Sequence, residues 1–310
     1  MSGIGIIFNP LAGKNRKYYR MAQELTDILN ENGILRETKS KDDLNQAILE
    51  FKDRDIDIIA ISGGDGTIHL VLSAVINIYK DKPLPKFMSL RGGTMNTFTN
   101  SVKFKGKTQN ILKEAIGKYK KGKPFKEINQ PLIKINDKYG FMTGAGVVSK
   151  FLDIYNSSPN PGLVHAAKMV FRIIFSTIFS THYSKNIFSP TKLKITIDGK
   201  KIENNKFMFI LGCTIKEIGL GFTPTPHAYD KPGHFHFIAS SMKPVSLVPK
   251  IPALWLGRDF THPELQHNGI AKEVVVEPEG KLRWMVDGDL YSTEKPLHFS
   301  AGPNITVISP

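Results

Sequence analysis

Cysteine is almost absent. The 310 residues include one, Cys213, which excludes an internal disulfide framework and fits a reducing compartment. Long apolar runs are also missing. The most apolar stretch, Met169 to Ser180, falls short of the ~20 residues a spanning helix needs and contains Arg172. Met1–Phe8 has no basic segment ahead of an apolar core, so it reads as a first strand and not as a secretion signal. Repeats and low-complexity tracts are lacking. Acidic charge is the minority: 28 Asp and Glu stand against 42 Lys and Arg, a formal net charge of +14. That excess suits nucleotide phosphates, an anionic membrane surface or nucleic acid. No helix-turn-helix, zinc-finger or RNA-binding aromatic signature accompanies it, so nucleic acid is not expected as a partner.

What is present describes an ordinary globular chain, long enough for two domains. The first third alternates strands and helices. Gly3–Phe8 is an apolar strand. Met21, Leu25, Ile28 and Leu29 then recur at helical spacing up to Gly33. Ile34–Lys39 suits a strand, and Ser40 suits the cap of a helix facing inward with Leu44, Ala47, Ile48 and Phe51. Asp57–Ile61 is a short β-branched run of the kind found in buried parallel strands. A helix with Ile68, Val71, Leu72, Val75, Ile76 and Tyr79 on one face follows, then a strand over Phe87–Leu90. The alternation predicts an α/β domain built on a parallel sheet covered on both faces.

From about Phe125 the pattern turns to closely spaced strands, with Asp198-Gly199 as a tight hairpin turn and one long apolar helix over Val164–Phe179. The expected division is an α/β nucleotide-binding domain over residues 1–125, rejoined by 296–310, and a mostly antiparallel β domain over 126–295.

The strongest chemical signal is Gly63-Gly64-Asp65-Gly66-Thr67, set directly between a buried strand and an amphipathic helix. Glycines permit the backbone angles such a turn needs. N–H groups at the start of the helix favour phosphate. Asp65 can reach a magnesium ion or its waters, and Thr67 can donate to a phosphate oxygen. This is not a Walker loop, since no Gly-Lys-Ser/Thr follows at the required spacing. Parallel strands bring their C-terminal ends to one edge, where ligands bind in open α/β sheets. Asn9-Pro10-Leu11-Ala12-Gly13-Lys14 and Gly92-Gly93-Thr94-Met95-Asn96 are therefore expected beside the glycine loop. Lys14 reads either as a phosphate contact or as the first exposed residue of a helix.

In order and separation, Asn9–Gly13, Gly63–Thr67, Gly93-Thr94-Met95-Asn96 and Val286-Asp287-Gly288-Asp289 resemble the motifs of the diacylglycerol kinase catalytic-domain family, which includes bacterial lipid kinases and sphingosine kinases. The resemblance runs from Asn9 to about Ile308. It implies an α/β nucleotide domain, a β-rich second domain, ATP with magnesium, and transfer of the terminal phosphoryl group to a lipid hydroxyl. Carried onto this chain, it makes Asn9, Pro10, Gly13, Lys14, Gly63, Gly64, Asp65, Gly66, Thr67, Gly93, Thr94 and Asn96 nucleotide-binding candidates. Asp65 is the metal ligand, and Asp289 and Asp65 are the catalytic residues, with Asp289 as base. The chain departs from the family at four places. Leu70 stands where a Glu is usual, Thr97 where an Asp is, and Asp289 where a Glu is. Asp230-Lys231-Pro232-Gly233 stands where an acidic pair holds a structural magnesium. Two other readings remain open: an NAD kinase-like enzyme, and a non-catalytic nucleotide- or lipid-binding relative.

Weaker signals complete the reading. His234 and His236 share a strand face with His227 nearby, which suits half-exposed strand histidines better than a metal site. Val164–Phe179 is a core helix, a wall for acyl chains or a membrane-interface helix, and Trp255 is a packed or an interfacial tryptophan. Nine lysines between Lys103 and Lys126 form either a solvated face or one turned to anionic lipid. The expected setting is the cytoplasm, with peripheral contact to the inner face of the membrane. A homodimer is compatible with the sequence.

Overall fold

A computed structural model of the chain describes residues 3–13, 15–17, 20–80, 82–92, 106–158, 162–179, 187–219 and 221–310. The fold is mixed α/β and divides into two compact units. One is Met1–Pro131 with Asp137–Tyr139 and Pro303–Pro310; the other is Leu132–Asn136 with Gly140–Gly302.

In the first unit β1 (Ile4–Phe8), α1 (Met21–Leu29), β2 (Gly33–Glu37), α2 (Lys41–Asp53), β3 (Ile58–Ser62), α3 (Asp65–Ile78), β4 (Lys86–Ser89) and α4 (Thr108–Lys120) follow in order. β1 pairs in parallel with β2 on one side and β3 on the other, and β3 continues in parallel to β4. Val307, near the C-terminus, pairs in parallel with Phe87. Every residue of β1 and β3 is buried, as expected of strands covered on both faces. Ile4, Ile6 and Phe8 pack with Leu25 and Leu29 of α1 and Ile111, Leu112, Ala115 and Ile116 of α4. Gly5 faces α2: a Cβ there would stand 2.6 Å from the ring of Phe51. The helix start predicted at Ser40 is a capping box, with Asp43 at the third helical position.

The lysine-rich stretch is more than a charged face. Residues 108–120 form α4, with its apolar residues at 111, 112, 115 and 116 turned inward and Lys113 and Lys120 exposed. The helical spacing was present in the sequence beneath the charge. Lys103 and Lys105 lie outside the described residues.

The chain leaves the first unit along β5 (Lys126–Ile135), and β6 (Lys138–Gly140) follows. The second unit then contains β7 (Met142–Gly146), α5 (Val147–Asn156), α6 (Leu163–Ile178), β8 (Thr191–Ile197), β9 (Lys200–Lys201), β10 (Lys206–Phe207), β11 (Phe209–Cys213) and β12 (Phe235–Ser240). After these come α7 (Pro244–Leu247), α8 (Ile251–Leu256), β13 (Leu265–Ala271), β14 (Glu273–Pro278), β15 (Leu282–Val286), β16 (Asp289–Thr293) and β17 (Leu297–Ser309). One antiparallel sheet runs β13-β12-β11-β7-β15-β16. β10, β8, β14 and β17 pair antiparallel in the other. Phe207, Phe235, Phe237, Trp284 and Phe299, drawn from both sheets, share one core. Asp198-Gly199 is a two-residue hairpin between β8 and β9, with φ of 48° and 80°. Positive φ at both positions is what a type I′ turn requires. One helix was expected here; α5 and the short α7 and α8 are additional. Gly146, at φ 74°, breaks the strand and lets the β-branched pair Val147-Val148 open a helix.

Candidate functional site

The order β2-β1-β3-β4 puts a topological switch point between β1 and β3, since the chain turns to one side after β1 and to the other after β3. The loops leaving these two strands are Asn9–Gly13 and Gly63-Gly64, and hydrogen bonds join them. Asn9 N donates to Ser62 O at 3.0 Å, and Asn9 Nδ2 donates to Thr67 Oγ1 at 2.9 Å. Asn9 Oδ1 accepts from Leu11 N at 2.9 Å, which bends the loop into an Asx turn.

A residue not singled out from the sequence holds this arrangement together. Asn15 is 3% exposed. Its Nδ2 donates to Asn9 O and to Ser62 O, both at 2.8 Å, and its Oδ1 accepts from Ser62 Oγ at 3.2 Å. The third loop reaches the same place. A Cβ on Gly92 would stand 2.7 Å from Gly63 N and 2.8 Å from Asn15 Oδ1. A Cβ on Gly63 would stand 2.4 Å from that of Thr67. The glycines therefore permit close backbone approach, and Gly92, the described residue of the third loop, stands against Gly63 and Asn15. Gly93, Thr94, Asn96, Thr97 and Lys14 lie outside the described residues.

α3 begins at Asp65, with Gly64 as its N-cap and no capping side chain. The half-buried Asp65 sits on the first turn, where the helix dipole favours negative charge. Further along α3, His69 is 1% exposed, with Nδ1 2.6 Å from Tyr139 O. Burial pushes its pKa down to about 4, so the ring is neutral and its N–H donates to that carbonyl. Ser73 adds two bonds to Tyr139, accepting from its N at 2.9 Å and donating to its O at 3.2 Å. Leu70, between them, supplies no carboxylate.

In the second unit Asp287 and Asp289 have different surroundings. Asp287 is 5% exposed. Its carboxylate accepts from Met142 N at 2.8 Å and from Phe141 N at 2.9 and 3.1 Å, while its own N donates to Met142 O at 3.0 Å. With φ of 45° at Asp287 and 97° at Gly288, the pair forms the tight turn between β15 and β16. Asp289 follows, half-buried, as the first residue of β16. Gly140 accommodates the turn, since a Cβ there would lie 2.6 Å from Asp287 Oδ2. Asp287 thus fixes the turn. In the sequence these residues stand only in a motif; neither the turn nor the backbone amides that the carboxylate caps were read from it.

Of the expected half-exposed pair, His234 is half-buried and His236 is not. His236 is fully buried. It accepts from His227 N at 3.2 Å, donates from Nε2 to Asn268 Oδ1 at 2.8 Å, and is pushed down to about 4 by burial. Every residue of its strand, β12, is buried. His227 lies between two carboxylates, Asp230 at 2.5 Å and Asp259 at 2.9 Å, and these contacts raise its pKa against a smaller desolvation effect. Among the described residues no group of three metal-ligating side chains occurs.

Residues 3–123 match the family model of the diacylglycerol kinase catalytic domain. Over those residues the chain is similar to that family. The matched residues hold Asn9–Gly13, Asn15 and Gly63–Thr67; Asp289 lies beyond them. A Staphylococcus epidermidis protein named provisionally as a lipid kinase is 26% identical over 219 residues, which span 68% of this chain and 61% of that protein. Among solved structures, a diacylglycerol kinase from Bacillus anthracis str. Sterne superposes with a TM-score of 0.67 at 15% identity, over 100% of this chain and 97% of that one. Yeast NADH kinase complexed with NADH gives 0.51 at 11% identity, over 99% and 83%. At these identities both structures report the fold: the diacylglycerol kinase catalytic-domain architecture, with a more distant likeness to NADH kinase.

Proposed function

We propose that the chain is an ATP-dependent lipid kinase that transfers the terminal phosphoryl group to a lipid hydroxyl. The observation that carries this is the join at the switch point. Asn9 is bonded to Ser62 and Thr67, so the first loop is fastened to the glycine loop at the uncapped start of α3. Helix starts of this kind bind phosphate. Thr67 Oγ1 accepts from Asn9, which leaves the hydroxyl proton to donate to a phosphate oxygen. The residues fit a magnesium ion held as such ions usually are in kinases, by one protein carboxylate together with substrate phosphates. Asp65 would hold it, and it would neutralise phosphate charge. Phosphoryl transfer needs little beyond positioning and charge neutralisation. Asp289 is the proposed base on the acceptor hydroxyl, held at the exit of a turn that Asp287 fixes.

The test is transfer from labelled ATP, with magnesium, to a total lipid extract and, separately, to NADH. The expected result is a phosphorylated lipid product. Asp289→Asn should lower single-turnover transfer by roughly a hundredfold or more with little change in ATP affinity, as loss of a general base predicts. Asp289→Glu should be milder. Asp65→Ala should abolish transfer in a folded protein, and full activity in that variant would refute the site. Phosphorylated NADH without any lipid product would transfer the assignment to the dinucleotide reading.

A further inference from the structure

In the second unit α6 leaves a large part of its apolar surface exposed. Ala166, Met169, Ser176 and Thr177 are buried, and the two hydroxyls satisfy themselves within the helix by donating to Ile173 O at 3.0 and 2.8 Å. The outer face instead carries Val164, Phe171, Phe175 and Phe179, which are 70, 77, 64 and 62% exposed. Three phenylalanines at this exposure on one face are far more than the scattered apolar residues normal on a surface. The rings of Phe175 and Phe179 lie 4.5 Å apart, forming one continuous apolar ridge.

A second segment with exposed apolar residues adjoins the helix. α6 contacts α7, which leads directly into α8. This second segment exposes Val245, Trp255 and Leu256 at 66, 50 and 63%. The Trp255 ring is supported from behind by Phe222, 5.2 Å away, and by Thr223 Oγ1 donating to Trp255 O at 2.6 Å. Lys168 and Arg172 are exposed among the apolar residues of α6, and Lys243 and Arg258 flank the other segment. Neither 163–179 nor 243–258 contains an acidic residue.

We infer that α6, α7 and α8 form a membrane-docking surface that seats on a bilayer carrying anionic headgroups. The phenylalanines and Trp255 enter the boundary between headgroups and acyl chains, and the four cations pair with lipid phosphates. Cationic charge interleaved with exposed aromatics, without acidic residues, is the composition of interfacial anchors. Segments of this charge, with Asp259 and Glu264 as acidic neighbours at their edge, also favour anionic over zwitterionic lipid. No helix of the described residues is long and apolar enough to cross a bilayer, so the contact is peripheral. The inference goes beyond the kinase reading and does not depend on it, because docking requires neither nucleotide nor acceptor.

The experiment is co-sedimentation of the full chain with vesicles of phosphatidylcholine alone or with phosphatidylglycerol, at low and high salt. Trp255 fluorescence is followed at the same time. Trp284, the other tryptophan, is 4% exposed and serves as a constant background. The expected result is binding to phosphatidylglycerol vesicles with a blue shift, weakened at least tenfold by high salt. Phe171→Ser/Phe175→Ser should weaken it at least tenfold without lowering the thermal midpoint, since both side chains are exposed. Absence of binding to anionic vesicles would overturn the inference. So would binding that the double variant leaves unchanged, which would move the contact to another basic face. A wild type that is dimeric and a variant that is monomeric, with neither bound to vesicles, would assign the ridge to a second copy of this chain.

Discussion

Replacing Asn15 tests whether the loop junction is a working part. Asn15→Ala removes two donated bonds of 2.8 Å and one accepted bond of 3.2 Å from a buried site. Neither carbonyl is orphaned, because Ser62 O keeps Asn9 N at 3.0 Å and Asn9 O keeps Ala12 N at 3.2 Å. The buried Ser62 hydroxyl does lose its acceptor, so the loss is at least the net worth of three bonds at ~0.5–1.5 kcal/mol each, about 2–4 kcal/mol or more. Asn15→Asp should be worse, since its carboxylate would face two carbonyl oxygens that need donors. Urea unfolding measures the stability, and calorimetric titration with ATP measures the site. We expect the unfolding midpoint to fall and ATP affinity to weaken at least tenfold, because Asn9, Ser62 and the Thr67 contact lose their common anchor. An Asn15→Ala protein within about 0.5 kcal/mol of wild type, with wild-type ATP affinity, would refute this account of the junction.

Gly140→Ala should act on the second carboxylate motif at a distance. The added Cβ would meet Asp287 Oδ2 at 2.6 Å and Val286 Cγ1 at 2.5 Å, so turnover should fall with KM for ATP unchanged; wild-type turnover would show that the turn does not position Asp289. Asp287→Asn should cost stability, because a buried carboxylate accepting from Phe141 and Met142 backbone amides is replaced by a group with one acceptor oxygen; an unchanged urea midpoint would count against it. Acid should also destabilise the protein. His69 and His236 have folded values of about 4 against 6.5 unfolded, so their contribution is complete above pH 6.5 and is lost as pH falls toward 4. Linkage gives about 2 kcal/mol for each between pH 7.5 and 5. Urea midpoints at the two pH values measure the loss, and His236→Gln should flatten the dependence. His227, raised by Asp230 and Asp259, works in the opposite sense, its contribution fading as pH rises through its elevated value.

Local physics wrote much of this protein into its sequence. Runs such as Ile58–Ser62 can only be strands buried on both faces. The Ser40 cap, the Asp198-Gly199 turn and the glycines around Asp65 each follow from what one or a few residues allow the backbone to do. These signals were enough for the alternation of strands and helices, the parallel sheet and the phosphate-loop candidate. α4 was less legible because lysines intervene between its few apolar positions, and α5 because its β-branched start resembles the strand before it. Tertiary structure alone decided the rest. Asn15 and His69 look like ordinary polar residues until the fold buries them against carbonyls more than forty positions away in the chain. Asp287 and Asp289 look alike in sequence, yet one caps backbone amides donated from 145 and 146 positions away and the other opens a strand, half-buried. The direction of the Val164–Phe179 ridge was undetermined for the same reason. Periodicity shows that a helix has faces, whereas only the packing of its neighbours determines which face is covered.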